Sequence, residues 1–192
     1  VRMQGWLALG ACSFVAICVD TPAGVDGSCD TTNVWEAVRR VPNERVWIRS
    51  TVSPEYFGQH AHAPVAWSAR PSDIPFLVVG GRAPHRRVLL DLLVPLFGAE
   101  RCYFQCTSRE AELIKYMENA FLATRVAFVN EFERICASHA VDWHTVREGW
   151  LLDPRVGRSH SAVFGPERGF GGPCLPKDLD ADEKIKSTYL GI

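Results

Sequence analysis

The first half of the chain alternates short apolar runs with segments of helical periodicity. Residues 31–33 can cap a short helix through Arg40, and Pro84 suits the first turn of a second helix that ends at Gly98. The apolar runs are rich in β-branched and aromatic residues, which is typical of buried strands. Predicted strands cover 14–19, 45–49, 75–79 and 101–106, with a weaker one at 65–68 after a loop over 53–63. Strands alternating with helices predict an α/β fold with a parallel sheet.

The second half is dominated by one long predicted helix. From Ser108, apolar residues recur at helical spacing to His139, which at 1.5 Å per residue gives about 45 Å. Because one small domain cannot cover this length, we expect one face of the helix, over 109–138, to pack on another subunit. A further short helix follows, with Asp142 as its cap and Trp150 as its last residue. The periodic apolar residues of the long helix are Ile114, Met117, Phe121, Phe128, Phe132 and Ile135.

The N-terminal apolar run has two interpretations. Residues 6–19 follow Arg2 and have the length and flanks of a secretory signal, but they are too short to span a membrane. The centre of the run also fits a buried parallel strand that ends in the turn at 20–22, and we favour this interpretation. We therefore expect a cytoplasmic protein with no membrane partner.

Composition and charge narrow the range of partners. The 192 residues are 47% hydrophobic and 22% charged, with a net charge of -1, which fits a globular protein and provides no basic surface for nucleic acid. Seven cysteines, odd in number, scattered and mostly set in apolar runs, indicate a reduced environment in which most of them act as small buried hydrophobic residues. Cys102 and Cys106 have no second Cys or His pair at zinc spacing, so we expect no metal site.

Two segments have the residue types of a catalytic site. Glycines of residues 169–173, among them Gly171 and Gly172, precede Cys174 and can turn backbone amides toward an anion and lower the thiol pKa, with Lys177 and Asp178 adding charge. The alternative is a glycine-rich surface turn with an idle thiol.

On the long helix, Lys115 and Asn119 lie four residues apart and so project from one face, with Glu112 one turn earlier. By itself this pattern is also typical of a solvated helix face.

In their order along the chain, these segments resemble the UDP-glucose/GDP-mannose 6-dehydrogenase family of nucleotide-sugar dehydrogenases. The matching segments are 18–22 (Cys-Val-Asp-Thr-Pro), 50–52 (Ser-Thr-Val), 111–120, 128–131 and 169–178. The resemblance implies a cytosolic protein whose long helix forms the core of a homodimer. It also implies a division into a remnant of a dinucleotide-binding α/β domain, residues 1–107, and a central helical domain with the cysteine loop, residues 108–192.

The resemblance further implies roles for individual residues. In this family a sugar C6 alcohol is oxidised twice by NAD+, through a thiohemiacetal and a thioester on the matching cysteine, here Cys174. Lys115 and Asn119 would stabilise the oxyanion. Asp178 would act as the acid/base that orients water, and Thr51 would help to position that water.

The chain departs from the family pattern in four ways. The family's G-x-G-x-x-G fingerprint is absent from the sequence, and the first strands of the dinucleotide-binding sheet have no counterpart. Asp20 replaces the usual small residue before Thr-Pro, where its charge would repel a pyrophosphate. Val65 aligns with a family glutamate and cannot transfer a proton. The C-terminal nucleotide-binding domain is also missing, so we expect a chain truncated at both ends.

These observations support three hypotheses. The first is a repurposed enzyme that needs no cofactor and performs cyclisation, elimination or isomerisation on a small molecule, in a pocket lined in part by Trp67 and Trp150. The second is an NAD-dependent nucleotide-sugar dehydrogenase fragment or subunit, completed by a partner chain. The third is a non-catalytic dimeric binding protein. The sequence favours the first narrowly, with Glu112, Trp67, Gly171, Gly172 and Lys177 as weaker substrate-binding candidates.

Overall fold

The computed structural model describes residues 15–25, 27–41, 46–52, 61–62, 76–164, 175–176 and 179–180, with 61–62 as backbone only. Within these ranges, five strands and four helices confirm the α/β prediction. The chain divides into two compact units, residues 1–116 and 117–192. The domain boundary expected at residue 107 stays a prediction.

The strands form one sheet in the order β1-β2-β3-β4-β5. Strands β1 and β2, β2 and β3, and β4 and β5 pair in parallel, but β3 and β4 are antiparallel, with His62 opposite Gly80. The predicted parallel sheet is therefore found in three of the four strand pairings and not between β3 and β4, because hydrophobic periodicity does not encode strand direction. The strands are β1 Val15–Ile17, β2 Val46–Ile48, β3 Ala61–His62, β4 Phe76–Gly80 and β5 Cys102–Cys106.

The structure differs from the predicted strands in two further details. The loop expected over 53–63 includes β3, and the strand expected at 65–68 lies outside the described residues. Strand β1 is not buried on both faces, because Ala16 and Cys18 beyond it are exposed whereas Ile17 is buried.

Helices pack on both faces of this sheet, as predicted. Helix α2 (Ala83–Phe97) covers the face formed by Trp47, Leu77 and Val79, through Leu89 and Leu93. Val78 lies between Leu77 and Val79 in the strand, so it points to the opposite face, where it packs with Ala111 near the start of α3. Helix α1 (Thr32–Arg39) covers Ile17, Val46 and Ile48.

The ends of α1 and α2 differ in how well the sequence predicted them. Thr31 precedes α1, but its side chain does not cap the helix; its Oγ1 accepts from Trp35 Nε1 at 3.1 Å. Asp30 Oδ1 instead accepts from the Thr32 amide at 2.9 Å. Pro84 lies in the first turn of α2, and Gly98 follows its last turn with φ +97, a conformation that favours glycine.

Helix α2 buries less of its apolar surface than the periodicity suggested. Leu89 and Leu93 are fully buried, whereas Val88, Leu92 and Leu96 are exposed. The sequence contains two adjacent apolar stripes on this helix, and only one of them faces the sheet.

The second unit contains most of α3 (Ser108–Ser138) and α4 (Trp143–Trp150). Asp142 caps α4 as predicted, accepting from the amides of Thr145 at 2.8 Å and His144 at 3.4 Å. Trp150 packs on Phe128, with ring centroids 5.8 Å apart, and the Arg125 guanidinium lies over its ring. Trp150 thus contributes to packing within the second unit, and its expected place in a substrate pocket stays a prediction.

Neither a membrane span nor a metal site is found in the part of the chain that the structure describes. Across those ranges no helix combines the length and apolar character needed to cross a bilayer. The same ranges contain no cluster of three or more His, Cys, Asp or Glu side chains suited to a metal ion.

Candidate functional site

The segments that follow the carboxyl ends of β1 and β2 are joined by a side chain as well as by a backbone hydrogen bond. The Arg49 amide donates to Ile17 O at 2.9 Å just beyond the strand ladder. Ser50 Oγ then accepts from the Val19 amide at 2.9 Å and donates to Val19 O at 2.7 Å. Ser50 thereby satisfies both backbone groups of Val19 where strand pairing has ended.

The loop after β1 folds back as a tight turn. Ala23 and Cys29 form an antiparallel bridge, and the Asp30 amide donates to Pro22 O at 2.8 Å. The Cys29 thiol lies 3.5 Å from Thr51 O and 3.7 Å from Thr21 O. Thr51, the predicted water-positioning residue, is half-buried and lies in the loop that follows β2.

The predicted polar face of α3 is largely buried. Glu112 is 3% exposed and Asn119 is 5% exposed, while Lys115 is half-buried. The interpretation of this pattern as a solvated helix face is therefore wrong for Glu112 and Asn119. Burying the polar side chains of Glu112 and Asn119 has a desolvation cost that an apolar residue at the same position would not have.

Burial also sets the charge of Glu112. Desolvation raises its pKa to about 9, although the nearby Arg109 guanidinium acts in the opposite direction. Glu112 is therefore protonated and neutral at pH 7, and it places a carboxylic acid one turn before Lys115.

The other candidates lie outside the described residues. These are Cys174, Asp178, Lys177, Gly171, Gly172 and Trp67, and with them Val65. Of the predicted site, the structure describes Thr51 at the sheet edge and the group Glu112, Lys115 and Asn119 on α3. The roles of all these residues remain predictions.

Sequence reasoning missed Cys29 and Ser50. Most cysteines are predicted to be buried small hydrophobic residues, and of the described ones Cys29, Cys106 and Cys136 are buried but Cys18 and Cys102 are exposed. The signal for Cys29 was its polar setting between Ser28 and Asp30, which differs from the apolar run around Cys18.

Comparison with known proteins supports the family that the order of motifs suggests. The sequence model of the UDP-glucose/GDP-mannose dehydrogenase family, central domain, matches residues 109–188. UDP-glucose 6-dehydrogenase from Rickettsia bellii is 31% identical over 203 aligned positions, covering 92% of this chain and 46% of that protein. A UDP-glucose dehydrogenase structure from Pyrobaculum islandicum matches 100% of this chain and 50% of its own, with a TM-score of 0.82 and 28% identity. The chain belongs to the UDP-glucose/GDP-mannose dehydrogenase family.

Family membership changes the balance between the three hypotheses. UDP-glucose 6-dehydrogenase from Rhizobium meliloti is 33% identical over 154 positions, which cover 80% of this chain and 34% of that protein. The chain therefore spans half or less of the length of these relatives. Because the relatives are dehydrogenases, the favoured hypothesis of a redox-free cyclase, lyase or isomerase has no support, and the dehydrogenase alternative fits better.

The described residues do not fit the pyrophosphate of a dinucleotide cofactor. A pyrophosphate is usually held by free amides of a glycine-rich turn at a helix N-terminus. Here the Thr32 amide at the start of α1 is occupied by the Asp30 carboxylate. Asp20, just after β1, adds a second exposed carboxylate. The Thr32 amide at the start of α1 is therefore not free for a pyrophosphate.

Proposed function

We propose that this chain carries the sugar-oxidising residues of a nucleotide-sugar 6-dehydrogenase. The proposal is supported by one observation above all: the similarity to UDP-glucose dehydrogenases runs through both the sheet edge with Thr51 and the buried α3 face with Lys115 and Asn119. The NAD+ of such a reaction would be held by residues outside this sequence, in a longer chain or in a partner chain.

In the proposed reaction the α3 face stabilises negative charge on the substrate. Lys115 and Asn119 would donate to the oxygen at sugar C6 as that oxygen gains charge. A cation and an amide on a rigid helix are preorganised donors, so they lose little free energy in reorganisation when the charge develops. Glu112 is neutral at pH 7 and therefore adds no negative charge to this helix face.

The proposed hydrolytic step uses the sheet edge. Water positioned by Thr51 would attack the carbonyl carbon of a thioester on Cys174. The carbon–sulfur bond breaks, Cys174 leaves as a thiolate, and Asp178 accepts the proton of the water. The product is the sugar carboxylic acid, which loses its remaining proton to solvent at neutral pH and becomes the carboxylate.

A thiol-protection experiment tests substrate binding without requiring the cofactor. Alkylation of Cys174 by iodoacetamide is followed by peptide mass spectrometry, with and without UDP-glucose. We expect UDP-glucose to slow alkylation of Cys174 at least about tenfold at saturation, and Lys115→Ala to weaken this protection.

Cys102 serves as the internal control, because it is an exposed free thiol on β5. Its alkylation rate should not depend on the nucleotide sugar. Equal alkylation of Cys174 with and without millimolar UDP-glucose would contradict the proposed function.

The second proposal concerns the assembly. The outward apolar stripe of α3 is exposed, with Met117 at 78% and Phe121 at 62%. Exposed apolar patches of this kind mark protein interfaces. We propose that a second copy of this chain covers the stripe and forms a homodimer.

A further inference from the structure

The backbone on both sides of Thr51 is held by side chains from the chain itself. The preceding residue, Ser50, bonds both backbone groups of Val19, and the following residue, Val52, is buried in the core with Val34 and Ile48. Thr51 itself has one further tie, between its carbonyl oxygen and the thiol of Cys29.

The Cys29 thiol lies between two carbonyl oxygens. Its Sγ is 3.5 Å from Thr51 O and 3.7 Å from Thr21 O, both within hydrogen-bond range for sulfur. A thiol has a single proton to donate, so the two carbonyls share one weak donor. Cys29 is only 6% exposed, and a weak donor contributes more where water does not compete.

Cys29 is also fixed on its own side. It pairs with Ala23 in the bridge that closes the loop after β1, and the neighbouring Asp30 amide bonds Pro22 O. The thiol therefore projects from a turn that is held by hydrogen bonds, and it links that turn to the loop that follows β2.

We propose that Cys29 is a positioning residue, whose thiol holds the Thr51 carbonyl and thereby fixes the backbone that presents the Thr51 hydroxyl to the hydrolytic water. The proposal rests on the proposed function in one respect: it assumes that Thr51 positions this water. The tether itself is a property of the fold and is testable without turnover.

The reaction step that the Cys29 tether would affect is hydrolysis of the thioester. The water oxygen bonds to the carbonyl carbon, the bond to Cys174 Sγ breaks, and the water proton passes to Asp178. Cys29 takes no part in these bond changes. If its tether is lost, Thr51 samples more orientations and fewer waters lie in line with the carbonyl carbon, so hydrolysis slows while substrate binding is unchanged.

Hydrogen exchange tests the tether. In Cys29→Ala and in Cys29→Val, which has no donor but fills the volume, we expect amide exchange in 49–52 and 19–23 to rise about three- to tenfold. Cys29→Ser keeps a donor and should restore most of the protection. Cys136→Ala is the control, since it removes another buried free thiol in α3. Unchanged exchange in both donor-free variants would overturn the proposal.

Turnover of UDP-glucose tests the role in catalysis, using the enzyme in its complete, NAD-dependent form. We expect Cys29→Val to lower kcat and the KM for UDP-glucose together, about three- to tenfold, because a thioester that accumulates before slow hydrolysis leaves kcat/KM unchanged. The fraction of Cys174 thioester seen by intact mass should rise, and the substitution should add no loss in a Thr51→Ala background. Cys29→Ser should recover kcat. A fall in kcat/KM, or no rise in thioester, overturns the positioning role. If the parent does not oxidise UDP-glucose at all, the proposed function fails, and the exchange result still decides the tether.

Discussion

At the scale of single residues, Glu112 shows how burial alters the chemistry that a sequence suggests. A glutamate near a lysine on a helix is normally interpreted as a surface ion pair. In the folded chain desolvation keeps Glu112 protonated, with a pKa of about 9 against an ordinary value of 4.5. The residue therefore acts as a neutral buried acid one turn before Lys115.

This pKa shift predicts a specific dependence of stability on pH. Between about pH 4.5 and pH 9 the unfolded chain releases the Glu112 proton while the folded chain keeps it, so the free energy of unfolding falls as the pH rises. Glu112→Gln lacks this loss. We expect its Tm advantage over the parent to grow steadily from pH 5 to pH 9, measured by thermal unfolding followed by circular dichroism.

The matched control lies in the same turn of α3. Glu110 is exposed, and its pKa is lowered because the backbone and side chain of Thr107 donate to its carboxylate. A lowered pKa stabilises the fold above the pKa of the unfolded state, so Glu110→Gln should lower Tm at neutral pH and have less effect in acid. An advantage for Glu112→Gln that does not vary with pH would contradict the burial argument.

At the scale of elements, the cap of α4 is a feature that the sequence predicts in full. The carboxylate of Asp142 accepts from two amides of the first helical turn. We expect Asp142→Ala to cost about 1 kcal/mol in the free energy of unfolding, measured in urea. Asp142→Asn is the control, because asparagine is an equally good cap; an equal loss in both variants would show that the cap bonds contribute little.

The exposed stripe of α3 predicts the assembly. If a second copy covers it, Met117→Glu and Phe121→Glu each place a charge in an apolar interface and should weaken dimerisation at least about tenfold, measured by sedimentation velocity. Arg134→Glu is the comparison variant, since Arg134 is an exposed residue of the same helix, paired with Glu131. A parent protein that sediments as a monomer at micromolar concentration would exclude this homodimer.

At the scale of the whole molecule, the question is how this chain obtains a cofactor. The described residues near β1 carry carboxylates where a pyrophosphate would need free amides. We therefore expect the isolated chain to bind NAD+ more weakly than millimolar, measured by titration calorimetry. Micromolar binding by these 192 residues alone would contradict the proposal that the cofactor is held elsewhere.

The sequence determined those features of this protein that depend on local patterns. It predicted the extent of α3 to within one or two residues, the Asp142 cap and the ends of β2, because periodicity and capping involve residues close together along the chain. The order of short motifs likewise identified the family, since such motifs hold their chemistry within a few residues.

Only the tertiary structure decided features that depend on residues far apart in sequence. The reversal of strand direction at β3 and β4, the choice of which α2 stripe is buried, and the neutral state of Glu112 all follow from neighbours that periodicity does not specify. The contact between Cys29 and Thr51 belongs to the same class, because it joins two loops that meet only when β1 and β2 pair.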